Sequence, residues 1–401
     1  MDPGPECILT VNGGSSSIKF ALFATTSPLR RILAGKIERI GCPSALFSAK
    51  GDSPTDSFSR SISAPDHQAA VGTLMDWVEQ RFSGRGLAAV GHRVVHGGPK
   101  YTQPAWITAE LVQALHELEP FDPEHLPEEI LLTEAFARRF PGLPQVACFD
   151  TAFHKDLPTV ARLLPLPRRY ADRGVRRYGF HGLSYAFLME ELVRLGDPAA
   201  TRGRVVLAHL GNGASLAAVQ DGKPHDTTMG FTPAAGVPMS TRSGNVDPGL
   251  VWYLARTERL GAKQFNHMVN FESGLRGISE TTSDMRELLA LESHDARAAE
   301  AVVLFCYEVK KALGAFAAAM GGLDTLVFAG GIGEAAPVIR ARICDGLDFL
   351  GLQLAPDANL AGTGVISTST SRVTARVMKT DEELMIARTV CRMREQQVPR
   401  A

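Results

Sequence analysis

The chain has 401 residues, length for two or three domains, and its 45% hydrophobic and 21% charged residues exclude a single small module and wholesale disorder. Forty-two Lys and Arg stand against 43 Asp and Glu, a net charge of −1, so the chain lacks the broad positive field of a nucleic-acid binder. Six cysteines are scattered singly, with no CxxC pair, which reads as free thiols in a reducing cytoplasm.

In chain order, strands are predicted at Cys7 to Val11, Ile18 to Ala24 and Ile32 to Ile40, the first two joined by a Gly/Ser turn. The start, MDPGPECILTV, places Asp2 and Glu6 where an export signal carries positive charge, so none is expected. A helix follows at Asp66 to Phe82, a strand at Leu87 to Val95, helices near Thr108 to Leu118 and Pro127 to Phe140, and a strand at Gln145 to Phe149. From Thr151 the pattern restarts, with a helix near Leu183 to Leu195 and strands at Arg204 to Leu210 and Ser215 to Gln220.

Helical patterns at Ala296 to Met320 and Glu334 to Leu347 flank an apolar strand at Thr325 to Phe328. The most apolar stretch, Ala312 to Gly331, contains Asp324 and follows Lys310 and Lys311, so it reads as a buried helix and strand, not a membrane span. Asp381 to Gln396 is expected to form the last helix, with Thr380 as N-cap and Glu383 completing a capping box.

ILTVNGGSSSIKFALF and VLAHLGNGASLAAVQ share one plan, an apolar strand, an Asn/Gly/Ser turn and a second apolar strand. They open the two halves, which suggests a duplicated unit, although ordinary hairpins share the plan. Asn12 to Ser17 leave the backbone sterically open and offer side chains to phosphate oxygens, with Lys19 close behind. Gly211 to Gly213 make a similar turn, and Phe328 to Glu334 reads as a third glycine-rich turn between strand and helix. No GxxxxGK followed by Ser or Thr occurs, which argues against a Walker-type NTPase.

Arg93 and His96 lie in GHRVVHGG, and Arg242 lies in the polar loop MSTRSG. Arginines so placed suit a carboxylate or a transferring phosphoryl group, or a surface ion pair. Asp150 ends the apolar run VACFD, where open α/β sheets present catalytic groups. Glu382 and Glu383 stand in the first turn of the last helix, suited to Mg²⁺ or to the helix dipole. His154 and His181 lie in FDTAFH and YGFHG, as catalytic or structural histidines.

Together VNGGSSSIKF, GHRVVHGG, FDTAFH, RRYGFHG, HLGNGAS, TRSG, GGIGE and TDEELMIAR resemble the acetate kinase family, in that family's order and over nearly the whole chain. The resemblance implies the acetate and sugar kinase, Hsc70 and actin superfamily: an α/β protein of two duplicated ribonuclease-H-like, actin-like ATPase domains with nucleotide in the cleft. The expected domains are 1–150, completed by a C-terminal helix at 385–401, and 151–384 with the nucleotide-binding loops. The implied reaction is reversible phosphoryl transfer from ATP to acetate, with ATP as co-substrate and Mg²⁺ or Mn²⁺ as metal. Propionate or butyrate as acceptor, and an actin- or Hsc70-like ATP-driven binding protein, are the alternatives. A cytoplasmic homodimer, with no nucleic-acid or membrane partner, is expected.

By resemblance, Asn12, Arg93, Asp150, His181 and Arg242 are catalytic, and Asn12, Asp150 and Glu382 form the metal site. Ser15, Ser17 and Lys19, then His209, Leu210, Gly211, Asn212 and Gly213, and then Gly331, Ile332, Gly333 and Glu334 bind ATP. Arg93, Val95, Phe121, Phe180 and Pro233 line the acyl pocket. The chain also departs from the family. Phe121-Asp122-Pro123 stands where Leu-His-Asn-Pro is common, leaving an active-site histidine absent, and Tyr185, Ser240, Asn245 and Ala335 replace the usual His, Gly, Asp and Asn.

Overall fold

The computed structural model describes residues 6–14, 16–53, 56–82 and 86–397. The chain divides into two compact units, 1–152 with 381–401, and 153–380. Each is built around its own sheet.

The first unit holds strands β1 (Cys7–Gly14), β2 (Ser17–Ala24), β3 (Arg30–Glu38), β4 (Ala45–Gly51), β5 (Phe58–Ile62), β6 (Leu87–Val94), β7 (Ala105–Trp106) and β8 (Gln145–Phe149). They form an eight-stranded sheet in the order β5-β4-β3-β2-β1-β6-β8-β7. β1 to β5 run as an antiparallel meander, whereas β6 is parallel to β1 and β8 parallel to β6. The near-continuous apolar runs of β1 and β8 follow from burial on both faces. On one face the helices His67–Phe82 and Leu126–Arg139 bury Leu74, Val78, Leu132 and Phe136 against Leu9, Val11 and Phe20.

The last helix, Glu382–Gln397, packs on β1 and β6. A Cβ at Gly91 of β6 would lie 2.4 Å from Ile386 and 2.8 Å from Val390, so only glycine admits the helix at this distance. The whole helix, from Glu382, belongs to the first unit, because Met385, Ile386, Ala387 and Val390 on it are buried. Its N-cap is Asp381, not Thr380. Asp381 Oδ1 accepts from Leu384 N at 3.0 Å, while Thr380 Oγ1 accepts from Ser184 Oγ at 2.8 Å.

The second unit holds β9 (Arg204–Leu210), β10 (Ala214–Gln220), β11 (Lys223–Thr227), β12 (Thr325–Ala329), β13 (Gly364–Val365) and β14 (Thr374–Val377), in the order β11-β10-β9-β12-β14-β13. β9, β10 and β11 are antiparallel neighbours, and β12 and β14 continue parallel to β9. This repeats the sense of β1, β2, β3, β6 and β8, so the duplication read from two strand–turn–strand segments extends to both sheets. The long helix Ala296–Met320 starts at Asp295, whose side chain accepts from Arg297 N and Ala298 N, and ends at Gly321 in the left-handed region.

Two expectations fail between Gly330 and Pro337. The predicted helix from Glu334 to Leu347 is broken into Gly330–Ala335 and Pro337–Cys344, because proline disfavours helical backbone at Ala336 (φ −113°, ψ 84°). The run expected as a third turn, Phe328 to Glu334, is itself helical from Gly330. Strands β4, β5, β7, β11, β13 and β14 carry no pattern strong enough to have been predicted.

Candidate active site

In the first unit, strand register brings three motifs to one sheet end. Val11 pairs with His92, His92 with Ala147, and Val94 with Phe149, so Asn12, Arg93 and Asp150 come together where parallel strands terminate. Arg93 donates to Asp150 Oδ2 from Nε at 3.0 Å and from Nη2 at 2.6 Å. Its Nη1 donates to Glu129 Oε1 at 3.2 Å and to Gly13 O at 3.4 Å. Asn12 Nδ2 donates to Glu382 Oε2 at 3.0 Å.

In this cluster of one cation and several carboxylates, Asp150 and Glu129 are buried and Arg93, Asn12 and Glu382 partly so. Burial pushes Glu382 up to about 7, and the nearby Asp150 carboxylate pushes the same way against Arg93. Burial also raises Glu129, opposed by Arg93 and by the Val95 N–H. The carboxylates Asp150, Glu129 and Glu382 outweigh the desolvation of Arg93 and hold its guanidinium charged.

Asp150 is fully buried, and its Oδ1 has no hydrogen-bond partner among the described residues. Such an oxygen, with Asn12 and Glu382 nearby, fits a hydrated Mg²⁺, which keeps several waters and needs few carboxylates. Among the described residues, no group of three or more His, Cys, Asp or Glu has the arrangement of a fully protein-ligated metal.

In the second unit, β9 and β12 run parallel with Ala329 opposite His209, so the loop after β9 and the helix after β12 are neighbours. A Cβ on Gly211 would lie 3.8 Å from Gly331 N. The helix Gly330–Ala335 is held at both ends. Glu334 Oε1 accepts from Gly330 N at 3.1 Å, and the buried Arg340 donates from Nη1 to Gly333 O and Glu334 O at 2.8 and 2.9 Å.

His181 is the N-cap of the helix Gly182–Arg194 in a left-handed conformation, φ 58°, and its ring stacks on His209 with centroids 4.4 Å apart. Ser215 Oγ, hydrogen-bonded to Tyr185 Oη, lies 2.8 Å from His181 Nδ1, and Ser184 Oγ lies 2.8 Å from His209 Nδ1. A Cβ on Gly213 would sit 3.1 Å from His181 Nε2 and 3.7 Å from Arg242 Nη1, so the glycine loop, the histidine and the arginine converge. Arg242 Nη1 donates to Pro233 O at 3.1 Å, and Asn212 O accepts from Ser240 N at 3.2 Å.

Of the residues singled out from sequence, Asn12, Arg93, Asp150 and Glu382 thus form one cluster in the first unit. His181, His209, Gly211, Asn212, Gly213, Gly331 and Arg242 gather in the second. Lys19 pairs with Asn12 across β1 and β2, Ser17 closes their turn opposite Gly14, and Ser15 lies outside the described residues. Val95 is buried, and the Phe121 ring lies 5.5 Å from that of His96. Phe180 is buried, its carbonyl 3.0 Å from His154 Nε2.

In the segment that departs from the family, Asp122 to His125 form a turn that sets His125 at the start of the helix Leu126–Arg139. His125 Nδ1 lies 2.9 Å from Asp122 Oδ1. Sequence reasoning missed Glu129, Arg340 and the Ser184 and Ser215 hydroxyls, and it reads Tyr185 only as a departure from the family. Ser184, Tyr185 and Ser215 adjoin recognised motifs, but Glu129 and Arg340 have no local signal.

A strand–turn–strand unit followed by parallel strands, built twice in one chain, defines the two-domain actin-like ATPase-type fold. The family described as "Acetokinase family" matches residues 7–388, and the chain belongs to it. It is 45% identical over 393 residues to an acetate kinase of Rhodopseudomonas palustris (strain ATCC BAA-98 / CGA009), covering 97% of this chain and 98% of the relative. It is 40% identical to a propionate kinase of Citrobacter rodentium (strain ICC168), covering 98% of both. Among solved structures, the acetate kinase of Porphyromonas gingivalis superposes with a TM-score of 0.84 at 35% identity, over 96% of this chain and 98% of that one. The propionate kinase of Francisella tularensis subsp. tularensis SCHU S4 gives 0.88 at 34% identity, with the same coverage.

Proposed function

We propose that the chain catalyses reversible, direct in-line transfer of the γ-phosphoryl group of ATP to the carboxylate of acetate, giving acetyl phosphate and ADP. The observation that carries this reading is Arg93, partly buried and fixed by Asp150 beside Asn12 and Glu382. In the transfer, a carboxylate oxygen forms a bond to the γ-phosphorus as the bond to the β,γ-bridging oxygen breaks. The acceptor is already ionised at neutral pH, so no base need remove a proton, and positioning and charge neutralisation remain as the tasks.

Arg93 and Arg242 hold the acyl carboxylate and the transferring phosphoryl group. His181 bonds the equatorial oxygens, its ring oriented by Ser215 and by the stack on His209. Asn12 assists at the same centre. Ser15, Ser17, Lys19 and the loop His209–Gly213 bind the phosphates, and Gly331–Glu334 bind the adenosine. Asp150, Glu382 and Asn12 would hold Mg²⁺ or Mn²⁺, in part through water, and the ion would neutralise phosphate charge.

Val95, Phe121, Phe180 and Pro233 accept the acyl methyl group. The likeness to propionate kinases supports a second reading with propionate as acceptor. One methylene in an apolar pocket is worth only about 1–3 kcal/mol.

The test is acyl phosphate formation, trapped with hydroxylamine, from MgATP with acetate, propionate or butyrate. Acid-dependent product is expected, with kcat/KM ranking the acids and Arg93→Ala or Arg242→Ala lowering turnover by about 100-fold or more. Equal ADP release with and without acid would indicate an ATP-driven switch instead.

The protein is further proposed to act in the cytoplasm, which its six free cysteines support, and as a homodimer. No residue of the helix Gly249–Thr257 is buried, and Trp252 and Tyr253 on it are 68% and 59% exposed, which supports a second copy covering this face. Among the described residues, no helix is long and apolar enough to cross a membrane.

A further inference from the structure

Glu129 stands in the first turn of the helix Leu126–Arg139, where the helix dipole alone favours an acidic side chain. Its surroundings ask for more than the dipole. Only 2% of the residue is exposed, and its two carboxylate oxygens have different partners. Oε1 accepts from Arg93 Nη1 at 3.2 Å, and Oε2 accepts from Val95 N at 2.8 Å. A single carboxylate therefore ties the Arg93 side chain to the backbone just beyond it on the same chain segment. Asp150 engages Nε and Nη2 of the same guanidinium, so the plane of the group is held from two sides.

We infer that Glu129 is a positioning residue for the phosphoryl-transfer reaction, acting through Arg93. The inference rests on the reading of Arg93 as a phosphoryl-binding arginine. An arginine presents its N–H groups in a rigid fork, and its value to a transition state depends on where that fork points before substrate arrives. Asp150 alone leaves the guanidinium able to swing about its contact with one oxygen, Oδ2. Glu129 supplies the second point and anchors it to Val95, a residue also proposed to line the acyl pocket.

The chemistry of the side chain is specific. Both oxygens act as acceptors, which an ionised carboxylate provides and an amide does not. In Glu129→Gln, one oxygen becomes an NH₂ group facing either Val95 N–H or the guanidinium, donor against donor. Glu129→Asp keeps two acceptor oxygens on a stem one methylene shorter.

The experiment compares the unmodified protein with Glu129→Gln, Glu129→Asp, Arg93→Lys and the double variant Arg93→Lys/Glu129→Gln, each checked for folding by its thermal midpoint. Glu129→Gln is expected to lower kcat for acyl phosphate formation by about 30- to 100-fold with KM for ATP within about twofold, as a misdirected reacting group does. Glu129→Asp should recover part of that rate. In the Arg93→Lys background, Glu129→Gln should cost less than about threefold, since residues acting as a unit are not additive.

The Nη nitrogen resonances of Arg93, assigned by their loss in Arg93→Lys, provide a readout independent of turnover. They should be separate in the unmodified protein and coalesce in Glu129→Gln. A kcat for Glu129→Gln within about threefold of the unmodified protein, or full additivity in the double variant, would overturn the inference. So would unchanged Nη resonances. An unmodified protein that forms no acyl phosphate from any acid would sink the proposed function, and the resonances would still decide whether Glu129 positions Arg93.

Discussion

At the residue scale, the same strand end that presents Arg93 hides its neighbour. His92 is 2% exposed, faces Phe136 and Gln145, and is pushed down to about 4 by burial, against the opposing bond from Gln145. Between about pH 6.5 and 4, the unfolded chain binds a proton that the folded one refuses, so the folded state loses stability as pH falls through that window. The full shift corresponds to about 3 kcal/mol. Glu129 and Glu382, raised by burial, act with the opposite sign, and a variant comparison separates the terms. Urea unfolding at pH 7 and at pH 4.5 should show a smaller acid-side loss for His92→Asn than for the unmodified protein. Equal losses would mean that His92 is not held neutral. His181 illustrates a different constraint, a non-glycine residue in the left-handed region kept there by its ring contacts, which is the kind of local strain found at functional sites.

At the element scale, helix ends decide where the last helix delivers Glu382. Asp381 caps it through the Leu384 N–H, and Arg31 donates from Nη2 to Asp381 Oδ1 at 2.5 Å and to Oδ2 at 2.6 Å. Asp381→Ala should therefore cost about 1 kcal/mol of unfolding free energy, mostly through the cap, since the Arg31 pair is partly exposed and contributes little. Thr380→Ala should leave the first unit's unfolding unchanged, because Thr380 bonds Ser184 instead. Chemical denaturation of both variants checks the pair, and the reverse order would restore Thr380 as the cap. The short helix Gly330–Ala335 depends on a distant residue in the same way. Arg340, buried and donating to Gly333 O, Glu334 O and Asn359 Oδ1, supplies bonds that so short a helix cannot make for itself.

At the scale of the whole molecule, one helix of the second unit has no buried residue and carries a run of exposed large apolar side chains. Trp252, Tyr253, Val251 and Leu250 are all exposed on Gly249–Thr257. A pair of chains is the expected species in sedimentation velocity at micromolar concentration, and Trp252→Glu should shift it toward single chains by placing a charge at the interface. A single-chain species for the unmodified protein would remove the homodimer proposal. The repeated topology of the two sheets accounts for why chemistry-bearing residues recur at matching places, at the C-terminal ends of β1, β6 and β8 in one unit and of β9 and β12 in the other.

The sequence by itself determined the family, the duplication and most motif residues, because glycine turns, strand-terminal charges and apolar runs are local signals that survive without a fold. Asn12, Arg93, Asp150 and Glu382 were legible for this reason, although nothing local shows that residues so far apart share hydrogen bonds. Only the tertiary structure decided what surrounds them. Glu129 reads as an ordinary acidic residue at a helix start, and Arg340 as an ordinary helix-surface cation, until burial leaves each with specific partners. Thr380 reads as the cap of the last helix until Ser184, far away in the chain, engages it and leaves the cap to Asp381. In each case the deciding interaction joins segments distant in the chain, and its strength comes from the exclusion of water that the packed units alone provide.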